Sequence, residues 1–205
     1  MITDKESLKL YLDADRFALG KTYQRPKLFR DNIWRFEILL RKYEYCNNTG
    51  KRLLKKWYGL RLKKMSDHLG FSISANCFGP GLRINHFGLL IVNSQCHIGK
   101  WCDIHQGVNL GDNGEVVGGK YISAVPTIGD FCFIGPGAKI FGKITVGNEV
   151  RIGANCVVNK SIGDKMSVKG IPAIASPNRK ELSTIACSSF EAMFLKSYPQ
   201  YIGKI

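Results

Sequence analysis

The chain has 205 residues, 44% of them hydrophobic, and a formal net charge of +14, which suits one folded domain with an appendage. No apolar run approaches the ~18 residues of a membrane-spanning helix, and the opening MITDKESLKL is polar and mixed in charge, unlike a secretory signal. Seven cysteines without a CxxC pair or Cys/His spacing fit buried, reduced thiols in a cytoplasmic protein better than disulfides or a metal site.

Residues 1–70 read as a basic helical appendage. Thr3 and Glu6 have capping-box spacing, Leu8, Leu10, Tyr11, Leu12, Phe17 and Leu19 follow, and Gly20 is a natural stop. A second helix is expected across RPKLFRDNIWRFEILLRKYEYCNN, ending near Asn47 to Gly50. A third runs through KRLLKKWYGLRLKKMSDHLG to Gly70. Residues 25–64 hold 13 Lys or Arg against three acidic residues. Such a field attracts phosphates of some kind. It reads either as a solvated cationic face over the end of the next domain or, with Trp57 and Tyr58 among the cations, as a peripheral contact with an anionic membrane. No base-reading motif accompanies it, so nucleic acid is set aside.

From residue 71 to 175 the period changes. Ile98, Ile104, Leu110, Ile128, Ile134, Ile140, Val146, Ile152 and Val158 lie on one six-residue lattice, with Gly often next and a small or apolar residue four places on. That period describes short strands and tight turns stacked into a parallel solenoid. Phe78, Ile84 and Leu90 keep the spacing but sit two residues out of phase, so one corner between Leu90 and Ile98 is expected to be irregular. Residues 111–127 lack the repeat and replace a coil's worth of chain or protrude as a loop. Residues 176–205 read as a short helix and an extended tail.

The stretches INHFGLLIVN, IGKWCDIHQGVNLG and IGDFCFIGPGAKIFGKITVGNEVRIGANCVV resemble the hexapeptide-repeat acyltransferases, and within them the serine acetyltransferase branch. The resemblance implies a left-handed parallel β-helix, acetyl-CoA as co-substrate without a metal, and a homotrimer with active sites shared between subunits. The hand comes from the resemblance alone.

Transfer of an acetyl group to a hydroxyl needs a base, and imidazole suits neutral pH. Asn85-His86-Phe87-Gly88 resembles, with one residue fewer before the Gly, the Asp-His-x-x-Gly motif in which related enzymes carry their general base, and the resemblance implies that role for His86. His105 lies 19 residues on, about one coil, and is a second candidate for binding or tuning. In relatives a loop reaches the acceptor, which would bring Asp112 and Asn113 to it beside Asn85. The pantetheine arm of acetyl-CoA is expected along Gly135-Pro136-Gly137 and Gly153-Ala154, their backbone N–H groups facing it, with Arg179 and Lys180 at the nucleotide phosphates.

The chain departs from the branch in three places. Asn85 stands where an Asp is usual, GFSISANCFG holds no acid to partner the imidazole, and Ala124-Val125-Pro126 stands where relatives have Arg-His-Pro. An amino-acid acceptor needs a cation and a carboxylate to offset desolvation. The expectation is therefore an O-acetyltransferase acting on a sugar hydroxyl of a surface polysaccharide or its lipid-linked precursor. The alternatives are L-serine as acceptor, feeding cysteine synthesis, and a non-catalytic scaffold on the same solenoid.

Overall fold

The computed structural model describes residues 1–28, 30–178 and 187–205. Three helices precede the coil: α1 (Lys5–Ala18), α2 (Asn32–Asn48) and α3 (Arg52–Leu69). The cap of α1 is Asp4 rather than Thr3. Its carboxylate accepts from the Ser7 backbone N–H at 2.7 Å, and the Ser7 hydroxyl accepts from the Asp4 N–H. The second helix starts seven residues later than expected. Asp31 instead gathers the preceding turn, accepting from Lys21 Nζ and Lys27 N–H at 2.7 Å and from the Tyr23 hydroxyl.

The six-residue lattice becomes a three-sided coil of short parallel strands. One sheet stacks Phe71–Ile73, Leu90–Val92, Asn109–Gly111, Lys139–Phe141 and Val157–Val158. A second stacks Arg83–Ile84, Asp103–Ile104, Phe133–Ile134, Arg151–Ile152 and Met166–Lys169, closed by the antiparallel strand Ile174–Pro177. The third stacks His97–Ile98, Thr127–Ile128 and Thr145–Val146, extended by bridges from Phe78 and Ile162. The lattice residues fill the interior, with Ile104, Ile134, Ile140 and Ile152 fully buried. Each such side chain contributes about 1.5–3 kcal/mol of burial. Cys102, Cys132 and Cys156 occupy the crowded inner positions as free thiols. Burial pushes the Cys132 thiol up to about 12 and holds that of Cys102 well above its ordinary value, so these two are packing residues and not nucleophiles.

The irregular corner is not where the spacing placed it. Ile84 pairs with Ile104, but Val92, not Leu90, pairs with Leu110. The two additional residues therefore fall between Ile84 and Val92, in the turn that carries His86. Residues 111–127 leave the first sheet and return to the third through an antiparallel hairpin, Glu115–Val117 with Lys120–Ile122. The C-terminal segment is more packed than an extended tail. Helix α4 (Ser188–Ser197) and a short turn, Pro199–Tyr201, place Phe194 and Tyr201 against α1 and Trp101 in a second aromatic core.

Buried charges fasten the helices to the coil. The Arg41 guanidinium of α2 meets Asp15 of α1 at 2.8 Å and Glu44 at 3.1 Å, and donates to the carbonyls of Phe78 and Gly79 at 2.9 and 2.7 Å. Glu37 of α2 accepts from the Ile84 N–H, which ties α2 to the strand leading into the His86 turn.

Candidate active site

The register puts the expected site residues on one edge of the coil, where the second sheet turns into the first. There Asn85-His86, His105, Gly135-Pro136-Gly137 and Gly153-Ala154 follow equivalent strand ends on successive coils. His86 is exposed, and its ring centroid lies 6.1 Å from that of His105. His105 is half-buried and also packs against Phe133 of the next coil at 5.1 Å. Burial, and then the neighbouring His86 and Arg83, push the His105 imidazole below its ordinary value.

Beneath the two rings lies an acid that the sequence reading passed over. The Asp103 side chain is 2% exposed. Its carboxylate accepts from Asn85 Nδ2 and sits 3.5 Å from the Arg83 guanidinium and 3.7 Å from His105 Nε2. The Asn85 amide nitrogen also lies 3.1 Å from His105 Nε2. An amide nitrogen donates only, so it gives one hydrogen to Asp103 and the other to Nε2, which leaves the His105 proton on Nδ1. Burial raises the Asp103 carboxyl, while Arg83 and Asn85 pull it back down. The signal available in the sequence was the acid directly before Ile104 in DIHQG, one coil after Asn85 rather than one before it.

Asn85 and Phe87, on either side of His86, line a cavity of about 600 Å³ between the coil and the helices. Arg83, His68, Lys21, Arg30, Asp31 and Trp34 line it too. The cavity thus gathers charged side chains from the helical region and the neighbouring strand.

Other expected residues are placed differently. Asp112 and Asn113 lie at the hairpin base, past the first sheet, and not on the edge of His86. The Asp112 carboxylate is taken up by the Gly114 and Ala124 N–H groups and the Ser123 hydroxyl at 2.6–2.8 Å, and Asn113 N–H donates to Ala124. The N–H groups of Gly135, Gly137 and Gly153 do not face outward. They donate to Ile152, Gln106 and Val168 within the coil. Gly137 has φ +74, and a Cβ there would stand 2.0 Å from Asn155 Oδ1, so coil stacking accounts for it. Arg179 and Lys180 lie outside the described residues. Among the described residues no group of three or more His, Cys, Asp or Glu is arranged to hold a metal ion, and no helix is long and apolar enough to cross a membrane.

Residues 126–160 match the family described as bacterial transferase hexapeptide (six repeats). The chain is 37% identical over 105 residues to the serine acetyltransferase of Mycobacterium tuberculosis, covering 51% of this chain and 42% of that protein. It is 38% identical over 110 residues to that of Bacillus pumilus, covering 53% and 49%. Among solved structures, Neisseria gonorrhoeae serine acetyltransferase superposes with a TM-score of 0.66 over 90% of this chain and 71% of that one, at 23% identity. Entamoeba histolytica serine acetyltransferase 1 in complex with L-cysteine gives 0.59 over 80% and 62%, at 27% identity. The chain spans less than half the length of these curated relatives. These likenesses correct the expected sugar acceptor. The relatives are serine acetyltransferases, and the polysaccharide reading, which rested on residues missing at matched positions, is withdrawn.

Proposed function

We propose that this protein is an acetyl-CoA-dependent O-acetyltransferase that acts on L-serine, with His86 as general base. The observation that carries the reading is the exposed His86 turn, its ring 6.1 Å from that of His105, which buried Asp103 approaches, on a hexapeptide coil whose relatives are serine acetyltransferases. The serine hydroxyl gives its proton to His86 as its oxygen attacks the thioester carbonyl. The C–S bond then breaks, and protonated His86 returns the proton to the thiolate, giving O-acetylserine and the free thiol. Asp103 holds the Asn85 amide, which in turn fixes the His105 tautomer beside His86. On this reading Arg83 and Arg30, which line the cavity, are the partners of the serine carboxylate. The left hand of the coil and a homotrimer belong to the same reading.

Thiol release from acetyl-CoA with and without L-serine tests it. Serine-dependent release is expected, and His86→Ala should lower it about 10²- to 10⁴-fold. No serine-dependent release would refute the acceptor, and an unimpaired His86→Ala would refute the base.

A further inference from the structure

Helix α3 uses only part of its surface to hold the fold. Leu62 and Leu69 are buried, and Tyr58 and Met65 pack beside the core. On the opposite side Leu53, Trp57 and Leu60 follow i, i+4, i+7 spacing and form one stripe, exposed by 84%, 49% and 75%. Exposed cations stand on both flanks of the stripe. By the helical repeat Lys56 and Lys63 fall on one side and Arg61 on the other, with Lys64 following on the line of the stripe. The Arg61 guanidinium lies 4.5 Å from the Trp57 ring. The helix carries six Lys or Arg against one acid, Asp67, which pairs with Lys63.

We propose that this face docks on an anionic lipid bilayer, the stripe entering the headgroup boundary while the flanking side chains reach lipid phosphates and carboxylates. Charge selects this occupant. A second copy meeting face to face would set cations against cations, whereas an anionic surface complements them and accepts the leucines and tryptophan together. The contact is peripheral, since no described helix is long and apolar enough to cross the bilayer. Its position on the appendage makes it separate from acetyl transfer.

The experiment is partition of the whole protein onto vesicles of phosphatidylcholine, with and without phosphatidylserine, read by sedimentation and tryptophan emission. Trp34 and Trp101 are buried, so a change in emission reports Trp57. Partition and a blue shift are expected only with phosphatidylserine, weakening as salt rises. Removing cations should cost about fivefold each, roughly 25-fold for K56Q/K64Q. L53S/L60S alters exposed positions, so it should fold as the wild type does and lose the blue shift. His86→Ala should bind as the wild type does, which separates this proposal from the catalytic one. Equal binding to phosphatidylcholine alone, or no binding to either, would overturn it. So would L53S/L60S dissociating a wild-type oligomer without changing partition, or tight binding of an RNA oligonucleotide with no partition.

Discussion

Arg41→Met isolates what fastens the helices to the coil. The guanidinium is fully buried, and four groups depend on it: the carboxylates of Asp15 and Glu44 and the carbonyls of Phe78 and Gly79. Methionine fills much of the volume and supplies no donor. Asp15 would keep the Gly81 and Leu82 N–H groups at 2.9 Å, and Glu44 the Asn76 N–H at 2.7 Å. The two carbonyls would keep nothing from this side chain. Removing one partner of a buried ion pair costs about 3–5 kcal/mol. The retained backbone donors lower that figure and the orphaned carbonyls raise it, so about 4 kcal/mol is expected. The pH dependence separates charge from packing. Burial already raises the Asp15 carboxyl, with Arg41 as the main counterweight. Without Arg41, the folded-state value of the Asp15 carboxyl rises further above its unfolded one. The unfolded chain then gives up its protons first as pH climbs past about 4, and the folded state is penalised increasingly. Urea unfolding should therefore show a larger deficit at about pH 8 than at about pH 5.5. A deficit below about 1 kcal/mol, equal at both values, would refute the assignment of Arg41 as a charge clamp.

Three further substitutions probe the site and its supports. Asp103→Asn keeps an acceptor for Asn85 but removes the charge. It should lower kcat by roughly 10- to 100-fold, the worth of a charged hydrogen bond, with KM for acetyl-CoA unchanged; steady-state kinetics showing only a KM effect would remove Asp103 from the positioning role. Glu37 is raised well above the ordinary carboxyl range by burial, then by Asp15, and one of its oxygens has no partner among the described residues. Its folded value exceeds its unfolded one, so wild-type stability should fall as pH rises above about 4, and Glu37→Gln should flatten that decline in thermal melts. Asp31 is held down to about 2, burial opposing but the Lys21, Tyr23 and Lys27 hydrogen bonds prevailing. Its contribution should be complete above the unfolded value near 4 and vanish as pH falls towards 2, so Asp31→Asn should lose the acid-dependent part of the melting curve.

The coil was legible because its physics is local. A six-residue repeat of aliphatics with glycine beside them leaves one way to bury Ile104, Ile134 and Ile152 together. What the repeat could not give was anything set by contact between distant segments. Asp103 precedes an inward residue and reads as an outward position, yet Arg83 and Asn85 from the previous coil and His105 on its own enclose it. The cavity charges escaped for the same reason, since Arg30 and Asp31 lie about 55 positions before Asn85 in the chain. The sugar acceptor rested on residues absent at matched positions, and the relatives, which are serine acetyltransferases, do not support it. The cap of α1 was missed by one residue, as Thr3 and Asp4 are both good caps and only the Ser7 partner separates them.

The misplaced irregular corner shows how the coil itself marks its site. Leu90 and Val92 are both aliphatic and both buried, so either could continue the lattice from Ile84. The pairing of Val92 with Leu110 decides it, making the step from Ile84 eight residues where the next coil, from Ile104 to Leu110, takes six. The longer step cannot follow the same tight turn. Its chain bows out, with Gly88 at φ +127 and its N–H reaching back to the Leu69 carbonyl, while Phe87 and Leu89 stand exposed. His86 rides on that bow, lifted clear of the stacked corners, whereas His105, in the regular turn, stays pinned between Asn85 and Phe133. Two chemically identical side chains thus differ in access because of two extra backbone residues. That difference in access is what favours His86 over His105 as the proposed base.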